Sequence, residues 1–208
     1  MNPRKQAGFT LVEISIVLVI VGLLLGAVLK GQELIFNSKV KASFNLGREL
    51  TVAMAAYQDR YRQLPGDDSQ GTTRFPSATP AVTNGNGDGF LNEVANWNCA
   101  ATQAGDNCRF VHHLRAAGFI SGSGSDNLRH AFGGTVDVAQ GNYFVTNANA
   151  APAMNYRAAS LTQKAAAAID TAFDDGNPAS GTFRCQTVTS YDMSNPDNFL
   201  AQSCIVPL

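Results

Sequence analysis

GFTLVE at residues 8–13 opens an apolar run that continues to Leu29. Within the run, Glu13 is the only charged residue. A run of about twenty apolar residues is long enough to cross a hydrocarbon core of about 30 Å as an α-helix. Arg4 and Lys5 precede the run and favour an orientation with the N-terminus in the cytoplasm. The sequence therefore predicts one membrane-spanning helix.

Glu13 is an unusual residue for a membrane-spanning segment. A carboxylate inside the hydrocarbon core costs about 2.5–3.5 kcal/mol on insertion scales. Such a charge needs a partner, and cleavage of the chain after Gly8 would provide one. The new amine of Phe9 would be a cation that can pair with Glu13 of the same chain or of a neighbouring copy.

Residues 1–13, MNPRKQAGFTLVE, resemble the cleavage and methylation signal of type IV prepilins and of the pseudopilins of type II secretion. The resemblance covers residues 1–30, with glycine, phenylalanine and glutamate at the spacing of that motif. It implies that a prepilin peptidase cuts after Gly8 and methylates the amine of Phe9. It also implies that Glu13 pairs with the N-terminus of an adjacent subunit. The alternative reading of the same residues is an ordinary signal anchor with an incidental glutamate.

The resemblance implies a fold and a location as well. The expected fold is α+β, a long N-terminal helix packed on a small antiparallel β-sheet with disulfide-tied loops. Residues 1–8 would be a leader peptide and 9–30 a transmembrane and filament-core helix. Residues 31–64 would be the amphipathic half of that helix and 65–208 a periplasmic or extracellular domain. The chain would cross the inner membrane once and then enter a pilus or a secretion pseudopilus.

Expected partners follow from the same resemblance: other pilin or pseudopilin subunits, the prepilin peptidase and methyltransferase, the inner-membrane assembly platform and, before assembly, the inner membrane itself. Lysine stands at residue 30, where many major pilins have a proline, which favours a minor pilin or a pseudopilin. Gly22 and Gly26 form a small-x-x-x-small pair that can be a helix-packing face in a membrane.

Beyond Lys30 the helical pattern continues with a single apolar stripe. Its members recur every three or four positions, which is typical of an amphipathic helix. They are Phe36, Val40, Phe44, Gly47, Leu50, Met54, Tyr57 and Tyr61. The pattern predicts a helix over residues 9–62. It ends at Leu64-Pro65-Gly66, because proline disfavours helix at the preceding residue and glycine permits a turn.

Four cysteines follow the apolar run, and no Cys-x-x-Cys spacing occurs. In an oxidising compartment an even number predicts two disulfides, and three connectivities are possible. Pairing of Cys99 with Cys108 and of Cys185 with Cys204 is favoured, because each pair encloses a short loop rich in turn residues. A zinc site is the alternative.

Residues 84–93, NGNGDGFLNE, have oxygen-bearing side chains at alternate positions followed by a glycine. This is the front half of an EF-hand-like calcium loop, although the closing glutamate is missing. The predicted ligands are Asn84, Asn86, Asp88, Phe90, Asn92 and Glu93. Asp67 or Asp68 could complete the shell. The alternative is a series of Asn-Gly and Asp-Gly turns without a metal.

Shorter patterns fill the rest of the chain. Residues 110–118 predict a helix closed by glycine that contains His112-His113, which we interpret as structural or surface residues. Strands are predicted at 135–138, at 143–146 after a hairpin turn, and at 182–188. A helix is predicted from a Ser160 cap. Asp174-Asp175 predicts a solvated turn, with a second cation site as the alternative.

The sequence predicts a protein that is not an enzyme, since it has no Gly-x-Ser-x-Gly, P-loop or His-Glu-x-x-His motif. Nucleic-acid binding is not indicated either, because the formal charge is −1 and the lysines and arginines are dispersed. The predicted function is a structural subunit, a minor pilin or a pseudopilin. The alternative is an uncleaved, membrane-anchored protein that binds a ligand in the periplasm or acts as an adhesin.

Overall fold

The computed structural model describes residues 9–91, 99, 105–140, 151–157, 160–186, 188–200 and 203–208. Its helices are α1 (Leu11–Tyr61), α2 (Gly71–Arg74), α3 (Asp106–Ala116) and α4 (Gln163–Phe173). Its strands are β1 (Leu128–Arg129), β2 (Thr135–Gln140), β3 (Pro152–Tyr156), β4 (Arg184–Cys185) and β5 (Cys204–Pro207). The predictions on Gly8, Asn92, Glu93 and the strand at 143–146 lie outside the described residues.

The first part of α1, up to Leu29, is apolar on nearly all sides, and its side chains are exposed. The residues up to Lys39 form one compact unit, and those from Val40 onward form a second. No described residue up to Lys39 is buried. Phe36 is half-buried, and the exposure of the other large apolar side chains runs from 44% at Val21 to 91% at Leu11. This segment therefore presents an apolar surface that needs lipid or another helix to cover it.

From Val40 onward, α1 buries one stripe, as its sequence pattern predicts. The buried positions are Val40, Ser43, Gly47, Leu50, Ala53, Met54 and Tyr57. Glycine at 47 favours close packing, since a Cβ there would lie 3.3 Å from the Met154 methyl carbon, which is tighter than an ordinary contact. The helix predicted over 9–62 is confirmed, and Gly66 turns the chain away from it at a φ of 95° that favours glycine.

The described strands form one antiparallel sheet in the order β1-β2-β3-β5-β4. Val138 faces Met154 and Met154 faces Val206 across the strand pairs, so these apolar side chains share one face. That face packs on α1, where the Tyr156 hydroxyl donates a hydrogen bond of 2.7 Å to the Ser43 carbonyl. The expected pilin-like α+β fold, a long helix packed on a small antiparallel sheet, is thus what the structure has.

The shorter elements follow the predictions with three differences. Helix α3 begins at Asp106, four residues before the helix predicted at 110–118. The helix cap is Thr162 and not Ser160, because the Thr162 hydroxyl accepts from the Ala165 amide while the Ser160 hydroxyl donates to the Arg157 carbonyl. The strand predicted at 182–188 is reduced to β4. Its upstream part is held instead by the Asp174 carboxylate, which accepts from two backbone amides there.

Both disulfides have the predicted local pairing, in which each pair encloses a short loop. Cys99 is bonded to Cys108, the third residue of α3. Cys185 is bonded to Cys204, and these two residues are also paired opposite each other on β4 and β5. The edge strand β4 has only two residues that can hold it in the sheet by hydrogen bonds. The second disulfide therefore fixes this strand to β5.

Candidate functional site

Thr10 and Glu13 form a reciprocal capping box at the start of α1. The Glu13 carboxylate accepts from the Thr10 amide at 2.8 Å and from the Thr10 hydroxyl at 2.9 Å. The Glu13 amide in turn donates to the Thr10 hydroxyl oxygen at 3.3 Å. Such a box satisfies helix N–H groups that have no partner within the helix. The Glu13 carboxylate is therefore satisfied by its own helix, four residues from Phe9.

The second part of the candidate site is the apolar segment of α1 that contains Glu13. Within the described ranges one helix, α1, is long and apolar enough to cross a membrane, judged by length and composition. Its glycines at 22 and 26 lie in open space, since a Cβ added at either would meet no atom within 4 Å. Such positions allow another helix to approach closely, because no side chain separates the two backbones.

Residues 3–29 match the protein family described as the prokaryotic N-terminal methylation motif. The matched residues include Phe9, Glu13 and the beginning of α1 up to Leu29. The chain thus carries a type IV prepilin-like signal ahead of a pilin-like α+β fold. Comparisons with curated proteins and with solved structures found no match. The motif and the apolar helix together are consistent with a membrane-anchored protein.

The loop at 84–93, predicted as a calcium site, is organised around Asp67. Its backbone amides converge on this carboxylate: Gly87 and Asp88 donate to one oxygen at 2.7 and 3.1 Å, and Gly89 donates to the other at 2.7 Å. A side chain at Gly85 would collide with the Asp67 backbone. The loop thus surrounds an anion with N–H donors, the opposite polarity from a cation site.

The predicted ligand side chains are engaged in hydrogen bonds of their own. The Asn84 carboxamide oxygen accepts from the amide and hydroxyl of Thr72. The Asp88 carboxylate accepts from the Phe90 amide at 2.8 Å and from the Asn86 side chain at 2.9 Å. This arrangement corresponds to the series of turns that was the alternative to calcium. Calcium binding itself stays a prediction.

Asp68, next to Asp67, anchors the loop region to α1. Its carboxylate accepts from the Tyr57 hydroxyl at 2.7 Å and from the Gln70 amide at 2.8 Å. The Arg74 guanidinium lies 2.8 Å from the same carboxylate and stacks over the Tyr61 ring. Burial, followed by the Asp68 charge, raises the pKa of the Tyr57 hydroxyl, so that it remains a donor. Because its carboxylate is engaged by these partners, Asp68 has a structural role.

The two histidines of α3 are structural, as interpreted from their spacing. The His113 ring accepts from the Gly66 amide at 3.0 Å and lies 2.9 Å from the Thr83 carbonyl, so its second nitrogen carries the proton. Burial lowers the pKa of His113 to about 4. His112 lies 3.1 Å from the Pro80 carbonyl, and burial lowers its pKa as well. Both rings are neutral at pH 7 and join α3 to the loop before it.

Asp170, Asp174 and Asp175 lie close together, with carboxylate oxygens within 4.8 Å of one another. The buried Asp170 accepts from the Tyr191 hydroxyl at 2.7 Å and from the Gly176 amide at 3.0 Å. Each of the other two carboxylates also accepts from nearby amides or hydroxyls. The cluster is therefore organised as a turn after α4.

Sequence reasoning missed the roles of Thr10 and Asp67. Thr10 carried a readable signal, since Thr-x-x-Glu before an apolar run is the capping-box pattern. Asp67 carried none, because its three donors lie 20 to 22 residues further along the chain. Only the folded loop shows that one carboxylate, among several in glycine-rich sequence, is the buried centre.

Proposed function

We propose that the protein is a structural subunit, a minor pilin or a pseudopilin, of a type IV pilus or of a type II secretion pseudopilus. A prepilin peptidase cleaves it after Gly8 and methylates the amine of Phe9. The observation that supports this proposal is the methylation motif at residues 3–29, continuous with a helix whose apolar side chains are uncovered up to Lys39. Lysine at residue 30 favours the minor-pilin or pseudopilin role.

Assembly transfers the apolar segment of α1 from lipid into a bundle of like helices. Its apolar area is covered in both states, so the transfer itself is close to balanced and an external motor can drive it. Glu13 changes partners in the transfer. It leaves the amide and hydroxyl of Thr10 for the amine of a neighbouring Phe9, where both partners are charged and the Coulomb attraction of an ion pair is added to the hydrogen bond.

The partners of this proposal are the peptidase, the inner-membrane assembly platform and other subunits of the filament. The basic residues Arg4 and Lys5 keep the leader in the cytoplasm. The domain from Val40 onward, with two disulfides, then lies in the periplasm, where disulfides persist. After assembly the protein belongs to the pilus or pseudopilus.

Intact-mass spectrometry of the protein from producing cells tests this function. We expect a mature chain that starts at Phe9 and carries one N-terminal methyl group. The control is Gly8→Val, which places a β-branched residue at the cleavage site and should leave the leader attached. An intact, unmethylated leader on the unmodified chain would contradict the proposal. That result would favour a membrane-anchored binding protein or adhesin.

Calcium binding by residues 84–93 has a separate test. A calcium ion that binds the folded chain and not the unfolded one stabilises the fold by RT ln(1 + c/Kd), where c is the free calcium concentration, so a chelator would lower the melting temperature and added calcium would restore it. Magnesium at the same concentration is the control for ionic strength. An unchanged melting temperature in chelator would leave the loop as a series of turns around Asp67.

A further inference from the structure

A cavity of about 430 Å³ is lined by the segment after α2, by the end of α3 and by the loop that follows α3. We call it the arginine pocket, and its lining consists of residues 74–79, 122–124, His112, Arg115 and Ala116. All of these residues belong to the unit from Val40 onward. A cavity of this volume is typical of a site for a small organic ligand. The described residues that line it include two arginines and no aspartate or glutamate.

Arg115, near the end of α3, is fixed in place by backbone carbonyls. Its Nε donates to the Ser121 carbonyl at 3.4 Å, and its Nη1 donates to the Gly124 and Asp126 carbonyls at 3.1 and 2.8 Å. The loop is folded closely around the guanidinium, since a Cβ at Gly122, whose φ is 104°, would lie 3.0 Å from the same Nε. Neutral carbonyls orient a cation without cancelling its charge. Arg115 is therefore pre-organised and still available to an anion.

Both guanidinium groups keep N–H donors that no described residue accepts. A guanidinium carries donors on all three of its nitrogens. Arg115 uses those of Nε and Nη1, so those of Nη2 remain. Arg74 places its Nε 2.8 Å from the Asp68 carboxylate and its guanidinium over the Tyr61 ring, and its two Nη atoms have no acceptor among the described residues. The pocket thus offers donors from two arginines to a bound acceptor.

The charge of the pocket selects a singly charged anion. The Asp68 carboxylate compensates Arg74, whereas Arg115 forms no ion pair with a described carboxylate. Burial lowers the pKa of Arg115, and the charge of Asp126 raises it in part. His112 adds no charge at pH 7, because burial lowers its pKa. A carboxylate matches the one positive charge that remains, while a phosphate monoester would bring about −1.5 to −2.

The rest of the lining suits a hydroxylated carbon skeleton. Phe75 and Ala116 are half-buried and give the pocket apolar walls. Ser77, Thr79 and Ser123 are exposed and add hydroxyl groups at its rim. A sugar ring has apolar C–H faces and hydroxyl groups around its edge, so it can contact both kinds of lining.

We propose that the arginine pocket binds a sugar acid, whose carboxylate accepts hydrogen bonds from Arg115 and Arg74 while its ring packs on the apolar walls. The planar guanidinium matches the two oxygens of a carboxylate, and a bond between two charged partners is stronger than one between neutral groups. This binding is a further activity of the domain and does not depend on the proposed filament function.

Titration of the full chain with sodium glucuronate tests the site. The chain is kept in a nonionic detergent without a sugar headgroup, at constant ionic strength, and the amide NMR signals of Gly122 and Gly124 are followed. Glucose is the matched ligand, because it has a hydroxymethyl group where glucuronate has the carboxylate. Inorganic phosphate is the second comparison, because it has the charge without the ring.

We expect glucuronate to shift both signals along a saturating curve. Glucose should bind at least about tenfold more weakly, since it lacks the hydrogen bonds between charged groups. Phosphate should also bind more weakly than glucuronate. The proposal would be overturned by the absence of a saturating shift, by shifts that leave Gly122 and Gly124 unchanged, or by equal affinity for glucose or for phosphate.

A carboxylate placed at the rim gives an independent measurement. The change is made at Ser77, because Arg115 also holds the loop at 121–126 and its replacement could unfold that loop. Ser77→Asp should weaken glucuronate binding several-fold, since the new charge repels the ligand and competes for the guanidinium groups. Ser190→Asp adds the same charge at an exposed residue that does not line the pocket, and it should bind normally. Unchanged binding by Ser77→Asp, or an equal loss in both variants, would overturn the proposal and leave the filament function intact.

Discussion

Under the proposed function, Glu13 has one set of partners before cleavage and another set after it. Before cleavage its carboxylate is held by the amide and the hydroxyl of Thr10. After cleavage the amine of a neighbouring Phe9 offers a full positive charge. The capping box keeps a lone carboxylate from being unsatisfied in lipid, where an unsatisfied polar group costs several kcal/mol. The same residue can thus be tolerated in one state and useful in the next.

Substitution of Glu13 by Val should separate membrane insertion from assembly. Removing the charge leaves the apolar run intact, so we expect normal extraction resistance in membranes and a strong reduction in sheared filaments. Fractionation and quantitative blotting measure both. Thr10→Val is the matched control for the cap, since it removes the hydroxyl but leaves the carboxylate for Phe9. Normal assembly of Glu13→Val would contradict the ion-pair account.

The N-terminal signal could be predicted from sequence because all of its parts are local. The cleavage motif, the apolar run and the Thr10–Glu13 box lie within about thirty residues, and each has a fixed spacing. The same holds for the buried stripe of α1, which follows from helical periodicity. The burial of single carboxylates such as Asp137 could not be predicted, because it depends on residues that the fold brings together from distant positions.

Asp137→Asn should stabilise the domain at neutral pH. Burial raises the pKa of Asp137 to about 6, although Arg157 and Asn155 lower it in part. The folded state therefore prefers the neutral acid. The contribution of Asp137 to the free energy of unfolding is greatest below pH 3.8, the pKa of this group in the unfolded chain. It falls as pH rises through about 6, by up to roughly 3 kcal/mol. Denaturant titrations of the full chain in detergent at pH 4.5 and pH 7.5 measure this, and no gain at pH 7.5 would contradict it.

At the level of elements, α4 shows where pattern reasoning reaches its limit. Ser160 and Thr162 are both good cap residues, two positions apart. The choice depends on Leu161 and Thr162 pairing with the segment around Phe199, far along the chain. That pairing holds Thr162 in the extended conformation that a cap requires. Local sequence predicted the helix, and a long-range contact placed its first turn.

Thr162→Ala should destabilise the domain by about 1 kcal/mol, the typical value for a lost N-cap hydroxyl. The hydroxyl accepts from the Ala165 amide at 3.2 Å, and alanine would leave that donor without its partner. The control is Thr171→Ala, at an exposed position within α4, which should be neutral or slightly stabilising. Equal effects of the two substitutions on the free energy of unfolding would argue against the cap.

Asp67→Asn should loosen the loop at 84–89 whether or not calcium is present. The substitution removes the charge and one acceptor oxygen from a carboxylate that holds three backbone amides. Hydrogen bonds to charged groups contribute about 1.5–3 kcal/mol each, so a loss of that order is expected. Denaturant titration and hydrogen exchange at Gly87 and Gly89, both in chelator, measure it. Unchanged protection of these amides would contradict the role of Asp67.

For the whole molecule, buried titratable groups of opposite kind set the pH dependence of stability. Burial lowers the pKa values of His113 and His130 to about 4. Both rings are neutral in the folded state. Their contribution to the free energy of unfolding is therefore complete above pH 6.5, the pKa of histidine in the unfolded chain, and is lost as pH falls through about 4. Asp137 acts in the reverse direction over part of the same range. The two effects partly cancel in the unmodified chain.

The Asp137→Asn chain should therefore show a steeper loss of stability on acidification than the unmodified chain. With this aspartate removed, one buried carboxyl fewer opposes the histidine effect between pH 6.5 and pH 4. Melting temperatures of both full-length chains in detergent, at half-unit pH steps, give the comparison. Parallel curves over this interval would show that the buried histidines and Asp137 do not govern acid stability.

The change in burial between Lys39 and Val40 has a consequence for how subunits are supplied. A chain that leaves a mostly apolar segment of about twenty residues exposed has almost no free concentration in water. Under the proposed function its reservoir is two-dimensional, because copies diffuse within the bilayer and not through the periplasm. A filament made of such copies gains each new subunit at the end that touches the membrane, while its distal end receives none. The order of subunits along the filament is then a record of the order in which they left the bilayer.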